Sequence, residues 1–203
     1  MVETHSHPHP QTDDRAIPFW NVPNALTVGR LGLSVAVFAL IAFEHYLEAG
    51  IVFAIAATTD ALDGYLARLL KQETPLGRQL DPLVDKVIVA GTYIYLLTIP
   101  NTGLAPWMVT TIVIRELLIQ GLRSHLEGRG QAFGAKTAGK LKTLVQCLSI
   151  SAILLVLAFN LEGSWILARD VLTWLAVGLT IYSGLGYLLL AFPTLKRETP
   201  PTS

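Results

Sequence analysis

The chain has 203 residues, 52% of them hydrophobic and only 15% charged, with a mean hydropathy of +0.50. That balance excludes an ordinary soluble domain and fits a polytopic membrane protein, while a formal net charge of zero gives no sign of a nucleic-acid partner. The single cysteine, Cys147, lies in an apolar run, which excludes an intrachain disulfide and a thiolate metal site and leaves a lipid-facing or packed residue.

No cleavable signal peptide is evident in the polar first twenty residues. His5, His7 and His9 alternate there with small residues and prolines, a composition that predicts a disordered tail over 1–17 in preference to a metal-binding one. The stretch from Asp13 to Trp20 predicts a short interfacial segment with Phe19 and Trp20 at headgroup level. Six stretches then reach the roughly 20 residues that cross a hydrocarbon core. They run near 24–44, 48–70, 80–100, 104–126, 140–160 and 165–192. The expected fold is all-α: six transmembrane helices in one membrane domain over 18–193, followed by a short tail over 194–203. No long soluble insertion or internal repeat interrupts them.

With the N-terminus in the cytoplasm, that face collects Arg15, Arg30, Arg68, Lys71, Arg78, Lys86, Arg115, Arg123, Arg129, Lys136, Lys140, Lys142, Lys196 and Arg197. Only Arg169 falls on the other side, so the positive-inside rule predicts this orientation. The opposite connections are short, at Glu44 to Glu48, Asn101 to Gly103 and Asn160 to Gly163. Trp107 and Trp165 open the spans that follow, as interfacial anchors do, and Trp174 and the tyrosines of the last helix read as packing residues.

Four carboxylates, Asp60, Asp63, Asp81 and Asp85, lie in or beside these apolar segments. An unpaired carboxylate at membrane depth costs several kcal/mol. Divalent metal on oxygen ligands offsets that cost and suggests phosphate chemistry. Asp60, Asp63 and Ala67 share one helical face at i, i+3 and i+7, and Gly77, Asp81 and Asp85 share another at i, i+4 and i+8. Gly64 removes a side chain where a ligand or helix must come close, and Arg68 follows one turn on. Pro82 either bends the helix from within or opens it at the first turn, in which case Asp81 is an N-cap. The plain alternative is a salt-bridge network with Arg68, Arg78 and Lys86; four carboxylates on glycine-bearing stripes weigh against it.

These residues resemble the signature of the CDP-alcohol phosphatidyltransferase family, D-x-x-D-G-x-x-A-R, eight residues, then G-x-x-x-D-x-x-x-D. Every fixed position is met, by Asp60, Asp63, Gly64, Ala67, Arg68, Gly77, Asp81 and Asp85. The resemblance implies transfer of a phosphoalcohol group from a CDP-linked donor to an acceptor hydroxyl, with release of CMP. It implies two divalent cations, Mg²⁺ or Mn²⁺, on Asp60, Asp63, Asp81 and Asp85, with Asp85 as general base. Gly64, Ala67, Arg68 and Gly77 would receive the CDP donor, and a homodimer in the inner membrane is expected.

The acceptor is read from further segments. N-V-P-N-A-L-T-V-G-R (Asn21 to Arg30), R-E-L-L-I-Q-G-L-R (Arg115 to Arg123) and G-K-L-K-T-L-V-Q (Gly139 to Gln146) resemble the branch that couples CDP-diacylglycerol to glycerol 3-phosphate. The likeness covers roughly residues 18–160, the last helix matching in hydropathy alone. A dianionic acceptor suits Arg115, Arg123, Lys140 and Lys142, with Glu116 steadying one of these bases. Arg115 lies too deep in its span for an ordinary surface cation. In the first helix Asn24, Thr27 and Arg30 share a face; Asn24 either caps the helix or faces the site, Thr27 is assigned to the donor and Arg30 to the acceptor phosphate. Other acceptors (phosphatidylglycerol, an inositol phosphate, serine) keep the same chemistry. A cation transporter is the rival of another class, and an idle scaffold a third.

Overall fold

The computed structural model describes residues 22–70, 75–127 and 137–196, with side chains at 22–27, 60–83, 85, 123, 125–127, 137–138, 140 and 190–196 outside the description. The expected N-terminal tail and the interfacial segment up to Trp20 lie outside the described residues, as does the C-terminal tail beyond Lys196, whereas residues 194–196, expected in that tail, continue the last helix. The described residues form six helices: α1 Val22–Ala42, α2 Tyr46–Leu70, α3 Pro75–Leu97, α4 Pro106–Glu127, α5 Thr137–Phe159 and α6 Ser164–Lys196. Long runs of Leu, Ile, Val and Ala sustain them, and α3 and α4 open on proline, whose missing N–H is an orphan at that position anyway.

The helices follow the expected order, with two differences of consequence. Because α3 begins at Pro75, Pro82 lies inside it and has no N–H to offer the carbonyl of Arg78. Gly77, Asp81 and Asp85 therefore occupy one continuous helix, and Asp81 is not an N-cap. Because α1 begins at Val22, Asn24 lies two residues inside the helix and not at its cap.

The connections away from the site are tight reversals. Glu44 (φ 63°) and Asn160 (φ 46°) adopt the left-handed conformation just past α1 and α5. Each is followed by an amide that reaches five residues back, His45 to the Leu40 carbonyl at 2.8 Å and Leu161 to the Val156 carbonyl at 3.1 Å. This Schellman geometry satisfies the last helical carbonyls and turns the chain straight back. Gly103 (φ 75°) lies in the α3–α4 connection, where a Cβ would fall 2.6 Å from Asp170 Oδ1 and 3.0 Å from Arg169 Nη2. Arg169 is buried there, donating to the Asn101 carbonyl at 2.5 Å and to Asp170 at 2.7 and 2.9 Å. It clasps the start of α6 to the α3–α4 loop. The one cation expected on this side is structural.

Helix neighbours define a ring: α1 packs on α2 and α3, α2 on α5, α5 on α6, α6 on α4, and α4 on α3, with α3 also reaching α5. Its interior is apolar, with Val37, Ile41, Phe53, Tyr93, Leu96, Ile112, Ile150, Ile153 and Leu154 essentially inaccessible. The outer faces are apolar too; Phe43 and Leu189 are each 75% exposed, an arrangement suited to lipid and not to water. Trp107 and Trp165 are each the second residue of a helix and are largely exposed, as expected of anchors. Trp174 packs on Trp107 with ring centroids 5.6 Å apart.

Among the described residues, two helical segments are long and apolar enough to cross a membrane, Leu141–Phe159 and Ser164–Leu189. Val28–Ala42, Tyr46–Thr59 and Lys86–Leu97 are apolar over the described parts of α1, α2 and α3.

Candidate active site

The signature residues fall at one end of the bundle. Asp60, Asp63, Gly64, Ala67 and Arg68 belong to the second half of α2, and Gly77, Asp81 and Asp85 to the first half of α3. At about 1.5 Å per residue, Asp60 lies about 15 Å and Asp63 about 10 Å from the end of α2, while Asp81 lies about 9 Å and Asp85 about 15 Å from the start of α3. Thr27 and Arg30 lie early in α1, which starts at the same end. The side chains of Asp60, Asp63, Ala67, Arg68, Asp81, Asp85 and Thr27 lie outside the described residues, as do those of Arg123 and Lys140.

The basic cluster is built largely from described side chains. Glu116 on α4 is buried between two cations: the Lys142 ammonium of α5 donates to its Oε1, and Arg115 Nη1 approaches both carboxylate oxygens at 3.5 Å. Lys142 is 2% exposed, so its charge is withdrawn from water and depends on this carboxylate. Among the described residues a buried cation, Lys142, and a partly buried one, Arg115, therefore share one anion. Lys86 of α3 donates to Gln120 Oε1 on α4 and is near enough to act electrostatically on Lys142. Arg30 on α1 is buried, and Ser34 one turn on donates to its carbonyl at 2.9 Å.

Of the five expected acceptor-phosphate residues, the structure brings Arg115 and Lys142 together through Glu116. It places Arg30 on the α1 side of the ring. Glu116 serves both bases, where the sequence suggested one. Residues of α6 were not expected at all: Ser183 Oγ accepts a hydrogen bond from Arg115 Nη2 at 3.0 Å, and the Arg115 guanidinium carbon lies 5.6 Å from the Tyr187 ring centroid. Tyr187 is more than a packing residue. A polar layer follows toward the core, with Gln146 donating to Thr180 Oγ1 at 3.0 Å, Tyr93 donating to the Gln146 carbonyl at 3.3 Å, and the Ser149 and Thr173 hydroxyls 3.0 Å apart. Its only trace in the sequence is a hydroxyl or amide every turn or so in α5 and α6, as interhelical contacts in lipid require.

A helical bundle with apolar outer faces and a basic cluster built across α4, α5 and α6 defines a class of protein suited to a lipid environment and to an anionic ligand. The sequence pattern of CDP-alcohol phosphatidyltransferases matches residues 20–182, and the chain belongs to that family. It is 38% identical over 197 residues to the CDP-diacylglycerol--glycerol-3-phosphate 3-phosphatidyltransferase of Bacillus subtilis (strain 168), covering 88% of this chain and 99% of that one. The protein of the same name from Pseudomonas fluorescens is 37% identical, over 88% of this chain and 93% of its own. A third, from Cereibacter sphaeroides, is 37% identical over 76% of this chain and 72% of its own.

Proposed function

We propose that this chain transfers a phosphatidyl group from CDP-diacylglycerol to glycerol 3-phosphate, giving phosphatidylglycerol phosphate and CMP. The acceptor hydroxyl oxygen forms a bond to the phosphorus that carries the diacylglycerol, the bond from that phosphorus to CMP breaks, and the hydroxyl proton passes to Asp85. Gly64, Ala67, Arg68, Gly77 and Thr27 receive the donor. Arg30, Arg115, Arg123, Lys140 and Lys142 receive the phosphate of the acceptor. The observation that carries the choice of acceptor is the buried Lys142 and the partly buried Arg115, which among the described residues share the carboxylate of Glu116. A dianionic phosphate balances that excess of positive charge, whereas serine or another acceptor without a phosphate leaves it standing. The names of the relatives support the same substrates.

An all-carboxylate donor set on α2 and α3 fits hard divalent cations, and Asp60, Asp63, Asp81 and Asp85 would hold two of them, Mg²⁺ or Mn²⁺. When bound, such ions neutralise charge on the diphosphate and on the departing CMP. All six helices span the inner membrane as a homodimer, with the N-terminus and the site in the cytoplasm. The distribution of lysine and arginine supports that orientation.

The test is CMP release by purified protein in detergent with CDP-diacylglycerol and one acceptor at a time. Release is expected with glycerol 3-phosphate, is lost in EDTA and returns with Mg²⁺ or Mn²⁺. Asp85→Asn abolishes it while the bundle stays folded. Release with serine or phosphatidylglycerol instead moves the acceptor assignment; metal-dependent ion flux without CMP release replaces the transferase with a transporter.

A further inference from the structure

Arg115 is held almost entirely by α6. Its stem lies against Gly184, where a Cβ would come 3.1 Å from Arg115 Cγ, so a larger residue presses the stem aside by a few tenths of an ångström. Its Nη2 donates to Ser183 Oγ, and the Ser183 hydroxyl proton is already committed to the Thr180 carbonyl at 3.2 Å, which turns the oxygen lone pairs toward the guanidinium. The Tyr187 ring stands beside the guanidinium, its centroid 5.6 Å from the guanidinium carbon. That same Tyr187 hydroxyl lies 3.6 Å from where a Cβ on Gly139 would stand, at the start of the G-K-x-K segment that carries Lys142. One face of α6 therefore touches both basic segments.

Nη1 is directed to Glu116, and the buried Nε of Arg115 has no hydrogen-bond partner among the described residues. A buried donor left over in this way calls for an acceptor, and a phosphate oxygen is the natural one. Ser183, Gly184 and Tyr187 also lie just beyond residue 182, where the family match ends.

We propose that Ser183, Gly184 and Tyr187 form a positioning cradle for Arg115, and that this cradle determines how strongly the site prefers an acceptor bearing a phosphate. The proposal rests on the assignment of Arg115 to the acceptor phosphate. The experiment measures CMP release by the full-length protein against glycerol 3-phosphate concentration at saturating CDP-diacylglycerol. Ser183→Ala and Tyr187→Leu are expected to raise KM for glycerol 3-phosphate about tenfold, the scale of one charge-assisted contact, with kcat and the KM for CDP-diacylglycerol held. Ser183→Thr, which keeps the oxygen, restores the parent KM. An unchanged KM in both variants, or a joint fall in kcat and thermal stability that Ser183→Thr does not repair, overturns the cradle. Arg115→Ala tests the layer beneath: if it leaves KM for glycerol 3-phosphate and the ligand-induced shift in unfolding temperature unaltered, the assignment of Arg115 fails, and the cradle with it.

Discussion

At the scale of single residues the most exacting position is Glu116. The buried Lys142 depends on its carboxylate, which Arg115 also approaches, and removing one partner of a buried pair leaves a charge with nowhere to go. Glu116→Ala is expected to destabilise the bundle by about 3–5 kcal/mol, seen as a lower midpoint in thermal or denaturant unfolding in detergent. An unchanged midpoint means that water already reaches Lys142 and that the burial argument is wrong. The sequence marked Arg115, Lys142 and Glu116 individually, because charges in an apolar segment are conspicuous. It did not disclose that one carboxylate serves both cations, since that depends on α4 and α5 meeting at one depth. Ser183 and Tyr187 were illegible for a related reason: a serine and a tyrosine in a membrane helix are common packing residues until a guanidinium is found against them.

At the scale of elements, helix existence and order were readable because each apolar run is long enough for its period and length to be unambiguous. Helix starts were less so. Prolines at the first position and inside a helix look alike in sequence, and only the extension of α3 back to Pro75 places Pro82 inside it. Close packing of α1 on α3 makes a second demand. A Cβ at Gly91 would intrude on the Phe38 ring, which is stacked on Tyr95 with centroids 5.0 Å apart and planes 7° from parallel. Gly91→Ala is expected to cost about 1–3 kcal/mol as the ring is forced off that stack, with the KM for glycerol 3-phosphate unchanged because the contact lies away from the basic cluster. The unfolding midpoint checks the first part and steady-state kinetics the second. No loss of stability means that Phe38 has another rotamer available, and the α1–α3 contact is looser than it looks.

At the scale of the whole molecule, three tight reversals on one side and the charged segments on the other divide the bundle into a structural end and a chemical end. The structural end is held by helix caps and by Arg169, and the chemical end gathers the signature carboxylates and the basic cluster. For the cytoplasmic orientation, a Cys147→Ser background carrying Glu162→Cys is expected to react with a membrane-impermeant maleimide from the outer face of intact spheroplasts. Labelling only after lysis reverses the orientation. The sequence by itself determined the helical class, the order of the helices, the carboxylate stripes and the family, because these depend on local periodicity and on fixed spacing along one chain. Tertiary structure alone decided the ring order of the helices, the sharing of Glu116 between Lys142 and Arg115, and the part α6 plays in holding Arg115. Each of those depends on side chains far apart in sequence reaching one depth on neighbouring helices, and nothing in the spacing of residues along the chain encodes which helices are neighbours.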